Sequence, residues 1–587
     1  MSKKIDLGFP PSPYQQKVFD FIQYGVGNAV IKACAGSGKT STLISAINLI
    51  PDHKKCLFIA FNRSVVEELT KKLENCTNCT IKTIHGLGFQ ILSANLINPT
   101  TVNEYKYRLY LKDNINELTS IDLKEKLTQA QCNDYTGTIT KLIDFSRYNL
   151  AQTVKEIQKT AKIYGIQTNY DECEVTLKCL QWGKTHLDTI DYTDMVWLPY
   201  ELSLSPHGIK YDWLFIDEAQ DLSKAAIKVF EMCFKRGTRF IAVGDDNQAI
   251  YMFAGASEEA FNTMCNKPKT KIFTLPITYR CPKKITALAN TIVKDITPKP
   301  DAIDGFISHN VLIKDIKDNS LVLARSKSPL VYLYKKLLRR NVNCYIKGQD
   351  IGMELINTFY NINEEALNLS LKKQGVFSKL YELLFAKRNA LMDFNGLDLE
   401  DATLSAVVIN LYDNIRSLEI LAEHLTTKKE LIEHIKSIFK DESDGICLST
   451  IHKAKGLEAE NVYTLCPSSI PSKLAKLDWE KNQERNLQYV AYTRSKNTLN
   501  FVSEDEIPPY GVLISPSGIM GKLTDVERTI CELNGTTPRE QEKNANIVKF
   551  NLRTISDINN IEDYHNKNTI TDTVDDDILK DLAEFLN

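Results

Sequence analysis

The 587-residue sequence lacks the features of a membrane protein or a secreted protein. It has no apolar run of about 18 residues, so we expect no membrane span. Its beginning has no apolar core like that of a secretory signal, which favours an intracellular protein, in the cytoplasm of a prokaryote or virus-infected cell or in a nucleus. The 14 cysteines are irregularly spaced, which predicts free thiols rather than a disulfide framework.

A metal cluster and an excess of charge are also missing. Cys76 and Cys79 have zinc-knuckle spacing, but no second pair of Cys or His completes a ligand set. Lys and Arg number 72 against 74 Asp and Glu, a net charge of −2. This balance does not exclude a nucleic-acid partner, but it requires any basic binding surface to be local. The composition, 43% hydrophobic and 25% charged, excludes wholesale disorder.

Short apolar segments alternate with helical stretches in two parts of the chain, and this alternation predicts parallel sheets. The predicted buried strands lie at residues 28–33, 56–61, 80–84, 213–217, 239–243, 320–324, 446–450, 462–465 and 499–502. Between about 91 and 190, and again between about 356 and 442, the pattern becomes helical. The helical stretches that indicate this lie at 121–129, 367–371 and 428–439. We therefore predict two α/β units, each interrupted by a helical insert.

A glycine-rich segment after the first predicted strand has the pattern of a phosphate-binding loop. It runs Ala-Cys-Ala-Gly-Ser-Gly-Lys-Thr over residues 33–40, with alanine where the strict pattern begins with glycine. Glycines let backbone N–H groups approach phosphates at a helix N-terminus, which favours negative charge. Lys39 would reach the β- and γ-phosphates, and the Thr40 hydroxyl would bind Mg²⁺. The predicted nucleotide-binding residues of this loop are Ala35, Gly36, Ser37, Gly38, Lys39 and Thr40.

Two adjacent carboxylates follow a second buried strand. Asp217 and Glu218 end the apolar run 213–217, and ligands of parallel sheets bind at the carboxyl ends of strands. Both side chains would therefore face the nucleotide. We predict that Asp217 holds Mg²⁺ and that Glu218 orients the hydrolytic water as a base.

Seven segments, in this order, resemble the motifs of the UvrD/Rep family of superfamily 1 DNA helicases. They are residues 12–16, 60–63, 83–86, 243–256, 277–280, 448–458 and 488–494. The sequence of residues 59–64 is most similar to the F-box helicase branch, although we identify no F-box.

The resemblance implies an α/β fold with two RecA-like parallel-sheet P-loop domains, each with a mostly helical insert. The expected parts are a first RecA-like domain at 1–92 and 190–279, its insert at 93–189, a second RecA-like domain at 280–355 and 443–515, its short insert at 356–442, and a C-terminal extension with an acidic tail at 516–587.

The resemblance also implies roles around ATP and Mg²⁺. Gln15 is expected to read the adenine, Tyr279 to stack on it, and Glu458 to lie near the ribose. Gln248 resembles the γ-phosphate sensor. Arg280 and Arg494 lie in the second α/β unit, so they can act across a cleft as arginine fingers, which are worth roughly 10³ to 10⁵ in rate.

Single strands are held by a basic groove and by aromatic faces on which bases stack. By resemblance, the DNA-contacting residues are Phe61, Asn62, Thr83, His85, Tyr251, Phe253, His452 and Lys453. Other interpretations stay open for some of them. Phe61 ends an apolar strand, which favours burial in the core, and His85 is equally compatible with a core histidine. Lys453 and Lys455 would contact phosphates or belong to a solvated face.

The expected function is that of an ATP-dependent DNA helicase. It would translocate 3′→5′ on single-stranded DNA and unwind duplexes at single/double-strand junctions in replication, repair or recombination. An RNA helicase or a 5′→3′ helicase of superfamily 1 remains an alternative. A nucleotide-switched binding protein that does not unwind is an alternative of a different class, but it would be expected to have lost Lys39, Glu218 or an arginine finger.

Two features lie outside the family pattern. The family usually has arginine where Ala254 stands, so part of the link between DNA contact and the ATP site is expected to be weaker or rerouted. Residues 557–587 are rich in acidic side chains. This composition predicts a solvated tail, or one that docks on a protein partner as an amphipathic helix.

Overall fold

The computed structural model describes residues 10–507 except 75, 97–100, 121–128, 207, 257, 361–370, 372–375 and 396. The C-terminal extension with its acidic tail lies outside the described residues. So do most of the helical stretches that we predict at 121–129 and 367–371.

The strands of the described residues form two large sheets and two small ones. They are β1 (Asn28–Ala33), β2 (Cys56–Ala60), β3 (Cys79–Thr83), β4 (Thr101–Val102), β5 (Thr189–Ile190), β6 (Tyr211–Ile216), β7 (Phe234–Gly244), β8 (Thr270–Leu275), β9 (Ile277–Thr278), β10 (Thr297–Pro298), β11 (Phe306–Val311), β12 (Leu321–Ala324), β13 (Cys344–Lys347), β14 (Phe439–Lys440), β15 (Ile446–Thr450), β16 (Ala459–Thr464) and β17 (Ser495–Val502).

The α-helices of the described residues fill the intervals between these strands. They are Pro13–Tyr24, Lys39–Asn48, Arg63–Lys72, Ile84–Asn95, Lys106–Leu118, Gln129–Asn149, Val154–Tyr164, Tyr170–Thr185, Tyr192–Glu201, Lys224–Met232, Glu258–Cys265, Lys283–Ala289, Ser328–Leu338, Gln349–Tyr360, Val376–Asn395, Leu399–Thr403, Ala406–Ala422, Lys428–Ile438 and Asp478–Tyr492. None of them is long and apolar enough to cross a membrane.

The first large sheet has the strand order β3-β2-β6-β7-β1-β8, and all its strand pairs are parallel. β1 lies between β7 and β8, with Val30 level with Ala242 on one side and Ile272 on the other. Alternate residues of β1 enter two different apolar clusters, because helices cover both faces of the sheet. This double burial explains the continuous apolar run of β2, which is buried throughout.

The second large sheet has the order β11-β17-β16-β12-β15-β13-β14 and is also parallel throughout. β12 is its central strand, and Val322 is level with Leu448 and Tyr463. Its two faces likewise pack into separate apolar clusters. The predicted fold class, two parallel α/β sheets, is therefore confirmed.

Helices form the inserts. Those between residues 106 and 185 pack around their own apolar cluster, and those between 376 and 438 share the larger core of the second sheet. Helix Gln129–Asn149 of the first insert packs against helix Val376–Asn395 of the second. The domain boundaries given above remain a prediction.

Candidate nucleotide and nucleic-acid site

The phosphate loop connects β1 to helix Lys39–Asn48 and has the backbone that its glycines predict. Gly36 and Gly38 have φ values of 69° and 77°, in the region that side-chain-bearing residues rarely adopt. A Cβ at Gly36 would also lie 2.6 Å from the Cβ of Arg280. Glycine at position 36 is therefore required both by the turn and by the close approach of the chain that carries Arg280.

An ion pair and a hydrogen bond join the phosphate loop to the end of β6. The Lys39 Nζ lies 2.9 Å from the Oε1 of Glu218, and the Thr40 hydroxyl donates to the Oδ2 of Asp217 at 2.5 Å. Glu218 has a φ of 51°, a left-handed backbone that is strained for a residue with a side chain. The structure thus brings together the four residues that we predict to bind phosphate and Mg²⁺ and to activate water.

The two adjacent carboxyl groups have opposite pKa shifts. Burial, reinforced by the charge of Glu218, raises the pKa of Asp217 to about 6. Burial alone would also raise the pKa of Glu218, but Lys39 and Lys455 outweigh it and hold that pKa at about 2. Glu218 is therefore ionised at neutral pH, as a general base must be.

Arg494 brings a buried positive charge to this site. It lies after helix Asp478–Tyr492 and is 1% exposed. Its Nη2 donates to the Oε1 of Gln248 at 3.3 Å, and its other nitrogens donate to the carbonyls of Val490 and Leu457. Within the described part of the chain, its guanidinium forms no ion pair with a carboxylate. Burial and the nearby Arg280 lower the pKa of Arg494 to about 9, so the site favours an anion.

Ser37 gives a second sign that the loop fits an anion. Its hydroxyl oxygen is buried in the phosphate loop and has no hydrogen-bond partner among the residues that the structure describes. Buried polar groups without partners are rare in folded proteins. Together with the unpaired charge of Arg494, this hydroxyl fits a site shaped for the phosphates of a nucleotide.

Gln248 and Arg280 lie beside Arg494 in the site. Gln248 donates to the Oδ2 of Asp245 at 2.6 Å. Arg280 donates to the Oε2 of Glu458 at 2.6 Å and to the carbonyl of Thr493 at 3.2 Å. Both arginines therefore lie at the junction of the two sheets, where an arginine finger must be.

The predicted base-binding residues occupy different surroundings. Tyr279 is half-buried, and its N–H donates to the carbonyl of Gly36 at 2.8 Å. Gln15 is buried beside the loop, where its side chain accepts from the N–H of Ser12 and donates to the Thr42 hydroxyl at 3.0 Å. Gln15 thus closes a capping box on helix Pro13–Tyr24. Its role toward adenine stays a prediction.

Four aromatic side chains form an aromatic row at the same junction: Phe61, Tyr251, Phe253 and His452. Phe61 stacks on Tyr251 with ring centroids 5.5 Å apart, and Phe253 meets His452 edge-on at 5.5 Å. Phe61 is 42% exposed and Phe253 51% exposed. The prediction of a core position for Phe61 is therefore wrong, because the chain turns outward where β2 ends.

The other predicted DNA contacts differ in their surroundings. Asn62 and Thr83 cap the helices that follow them, accepting from the N–H groups of Val65 and Gly86. His85 is half-buried, and its burial lowers its pKa. The exposed Lys453 forms an ion pair with Asp350 at 2.5 Å. Their contacts with DNA stay predictions.

Lys455, for which the sequence left a phosphate contact or a solvated face open, lies at the centre of the site. Its ammonium lies 2.5 Å from the Oδ2 of Asp221 and 3.9 Å from the Oε2 of Glu218, and it also lies 5.8 Å from the ring of Phe61 and 5.1 Å from that of Tyr251. It is not part of a solvated face. One side chain therefore contacts both the acidic residues of the nucleotide site and the aromatic row, and the sequence held no signal of this beyond its place in the motif.

Two family models match the chain. The UvrD/REP helicase N-terminal domain matches residues 14–269, and the UvrD-like helicase C-terminal domain matches residues 445–502. Together they cover more than half of the chain.

Curated relatives agree with these matches. The F-box DNA helicase protein 1 of Schizosaccharomyces pombe is 24% identical over 524 residues, covering 83% of this chain and 56% of that protein. The F-box DNA helicase 1 of Gallus gallus is 24% identical over 520 residues, 80% of this chain and 46% of that protein. The ATP-dependent DNA helicase Rep of Escherichia coli is 23% identical over 303 residues, 48% of this chain and 43% of that protein. The chain thus spans about half the length of these relatives.

The motif order, the two parallel sheets and the phosphate loop facing two arginines agree with both family models. The chain belongs to the UvrD/Rep family of helicases.

Proposed function

We propose that this protein is an ATP-dependent DNA helicase that translocates 3′→5′ on single-stranded DNA. The observation that carries the proposal is the shared junction between the two sheets. The phosphate loop, the two arginines and the aromatic row all lie there, and Lys455 contacts both groups. A site that hydrolyses a nucleotide and a site that grips bases are therefore joined by one side chain.

The nucleotide would bind with its phosphates on the loop between β1 and helix Lys39–Asn48. Lys39 would release its ion pair with Glu218 and pair with the phosphates. The Ser37 hydroxyl and the loop N–H groups would donate hydrogen bonds to the phosphate oxygens. Thr40 and Asp217 are the residues that would hold Mg²⁺. When bound, that ion would neutralise phosphate charge.

Hydrolysis would use groups from both sheets. Glu218, ionised at neutral pH, would accept the proton of the attacking water. Arg280 and Arg494 would stabilise the negative charge that develops on the transferring phosphoryl, and Gln248 would place Arg494 against it. Because the base follows β6 of the first sheet and Arg494 precedes β17 of the second, closing of the junction would control the rate.

Movement would follow from the contacts of Lys455. Rearrangement of Glu218 on hydrolysis changes the charge that Lys455 faces, and the rings of Phe61 and Tyr251 lie against the same ammonium. Bases stacked on the aromatic row would then be gripped and released once per cycle, each stack being worth about 1–3 kcal/mol.

The direction of movement rests on the similarity of the coupling motif and the last two motifs to the 3′→5′ branch of the family. The same similarity supports a role at single/double-strand junctions in replication, repair or recombination. A protein partner of the acidic tail remains part of this proposal.

The test is an unwinding assay on duplexes with either a 3′ or a 5′ single-stranded overhang, beside RNA duplexes of the same sequence. We expect ATP-dependent unwinding of the 3′-tailed DNA, no unwinding with Lys39→Ala, and full unwinding with Lys54→Ala, whose lysine pairs with Asp212 away from the site. Unwinding of the 5′-tailed DNA duplex instead would contradict the proposed direction. Unwinding of the RNA duplex instead would contradict the proposed substrate. DNA-stimulated ATP hydrolysis without any unwinding would favour the nucleotide-switched binding protein.

A further inference from the structure

Tyr489 joins three parts of the nucleotide site, although no role has been assigned to it. It lies in helix Asp478–Tyr492 and is fully buried. Its hydroxyl accepts the N–H of Ala35 in the phosphate loop at 2.9 Å and donates to the Oδ2 of Asp245 at 3.5 Å. The same Oδ2 accepts the amide of Gln248 at 2.6 Å. One oxygen atom of the second sheet's helix therefore contacts the phosphate loop and the end of β7.

The ring and the hydroxyl of Tyr489 make different kinds of contact. The ring packs with the apolar side chains of a small cluster, Ala35, Ala289, Val293 and Ile296. The hydroxyl alone makes the polar contacts. Phenylalanine at this position would keep the packing and leave the buried N–H of Ala35 without its partner, which costs more than an ordinary exposed hydrogen bond.

The segment that carries Tyr489 also carries Arg494, which contacts Gln248. Tyr489 and Arg494 lie on one segment, so a movement of that segment relative to the first sheet would shift both of their contacts together. Ala35 follows β1 and Asp245 follows β7, both strands of the first sheet, so both hydrogen bonds of the hydroxyl join the second sheet's helix to the first sheet. Asp245 itself is buried and its backbone N–H donates to Gln220 at 3.0 Å, so the position that receives the hydroxyl is fixed.

We propose that Tyr489 is a positioning residue for ATP hydrolysis: its hydroxyl locks the phosphate loop and the Asp245–Gln248 turn into one arrangement with Arg494 when the two sheets close. This inference rests on the proposed ATPase function. It adds to the proposed site a contact from helix Asp478–Tyr492 to the phosphate loop.

The matched variants are Tyr489→Phe and Tyr492→Phe, both in full-length protein. Tyr492 lies at the end of the same helix, and within the described part of the chain its hydroxyl bonds to the amide of Gln488 of that helix, from which it accepts at 2.9 Å. Each change removes one hydroxyl and keeps the ring. A difference between the two variants therefore reports the cross-junction contacts rather than the loss of a tyrosine hydroxyl from the helix. A cooperative thermal unfolding transition in each variant would show that both fold.

The first measurement is hydrogen–deuterium exchange of the peptide that contains Ala35, which needs no activity. We expect this peptide to exchange about tenfold faster in Tyr489→Phe than in the parent or in Tyr492→Phe, because the Ala35 N–H loses its acceptor. Unchanged exchange would show that the contact does not hold the loop and would overturn the proposal.

The second measurement is DNA-stimulated ATP hydrolysis. We expect Tyr489→Phe to lower kcat about tenfold with KM for ATP unchanged, as for the loss of an interaction made only in the closed arrangement. A parental kcat, a rise in KM alone, or an equal loss in both variants would overturn the positioning role. A parent without DNA-stimulated hydrolysis would instead contradict the proposed function, and the exchange experiment would still decide whether the hydroxyl holds the loop.

Discussion

The two large sheets are built alike, but only the first holds a phosphate loop. In each sheet a helix follows an internal strand, β1 in the first and β12 in the second. The turn after β1 is rich in glycine, whereas the turn after β12 contains Arg325 and Lys327. These cations are already paired, Arg325 with Glu484 at 2.6 Å and Lys327 with Glu354 at 2.7 Å. Topology brings a turn to the carboxyl end of the strand, but the residues in that turn decide whether it binds an anion.

Two arginines of the second sheet also differ in their partners. Arg325 pairs with the carboxylate of Glu484, whereas the buried Arg494 contacts Gln248 of the first sheet and has no ion pair within the described residues. A buried cation without a partner is costly, so the protein gains from an anion at the junction and not from one after β12. The nucleotide site is therefore asymmetric, with binding groups on one sheet and charge stabilisation from the other.

Arg494→Ala tests this asymmetry with the largest expected effect. We expect kcat for ATP hydrolysis to fall by about 10³ to 10⁵, because the guanidinium would stabilise charge only in the transition state. ATP affinity should change little, since the loop of the first sheet is intact. Arg485→Ala is the control, because this exposed arginine of helix Asp478–Tyr492 donates to the carbonyl of Ile292 and, among the described residues, to no group of the nucleotide site. Equal losses in both variants would contradict a role specific to Arg494.

Glu218→Gln and Glu484→Gln compare two carboxylates that each pair with a cation near the end of a strand. We expect hydrolysis to fall by about 10² to 10⁴ while ATP still binds, because glutamine cannot accept the proton of water. Glu484→Gln, which breaks the pair with Arg325, should lower the melting temperature and leave kcat near that of the parent. Single-turnover hydrolysis and binding of a fluorescent ATP analogue separate the two effects. Parental hydrolysis by Glu218→Gln would exclude it as the base.

Inner strands with a continuous apolar run could be predicted from the sequence, and most strands without such a run could not. The strands predicted at residues 28–33 and 446–450 have those bounds in the structure, because inner strands of a parallel sheet need apolar residues on both faces. The edge strand β3 was predicted with a shift of one residue, at 80–84. The edge strands β8 and β11 and the short inner strand β13 were missed. β8 and β11 have exposed residues among less exposed ones, so they give no apolar run.

For the site, the sequence located the motif residues but not every contact that depends on the meeting of the two sheets. Lys39, Asp217 and Glu218 follow apolar strands, so their convergence could be predicted from the parallel sheet. Lys455 and Tyr489 lie within motifs, but no local pattern predicts which groups they contact, because a lysine or a tyrosine is compatible with many surroundings. Their partners are more than 200 residues away in the chain, and only packing of the second sheet on the first brings them together.

Phe253→Ala and Phe306→Ala compare exposed aromatic side chains at the junction and on the second sheet. Phe253 lies in the aromatic row at the junction, whereas Phe306, 64% exposed, lies on the edge strand β11 of the second sheet. We expect Phe253→Ala to weaken binding of single-stranded DNA about tenfold and to reduce unwinding more than ATP hydrolysis, because about 1–3 kcal/mol of stacking is lost. Phe306→Ala should bind DNA as the parent does. Fluorescence anisotropy with a labelled oligonucleotide measures both, and equal weakening would contradict a special role for the row.

The smallest expected effect concerns the ion pair by which Lys455 of the second sheet contacts the first. Burial raises the pKa of Asp221 to about 6, in spite of the Lys455 ammonium that lowers it. Above this pH Asp221 is ionised and pairs with Lys455; as the pH falls through about 6 it takes up a proton and the pair is lost. The ratio of DNA-stimulated to unstimulated ATPase rates should therefore halve at about pH 6 relative to pH 8. This ratio cancels any effect of Asp217, which acts on both rates. In Asp221→Asn the ratio should be low and independent of pH, and a ratio that varies with pH as in the parent would show that another group couples the two sheets.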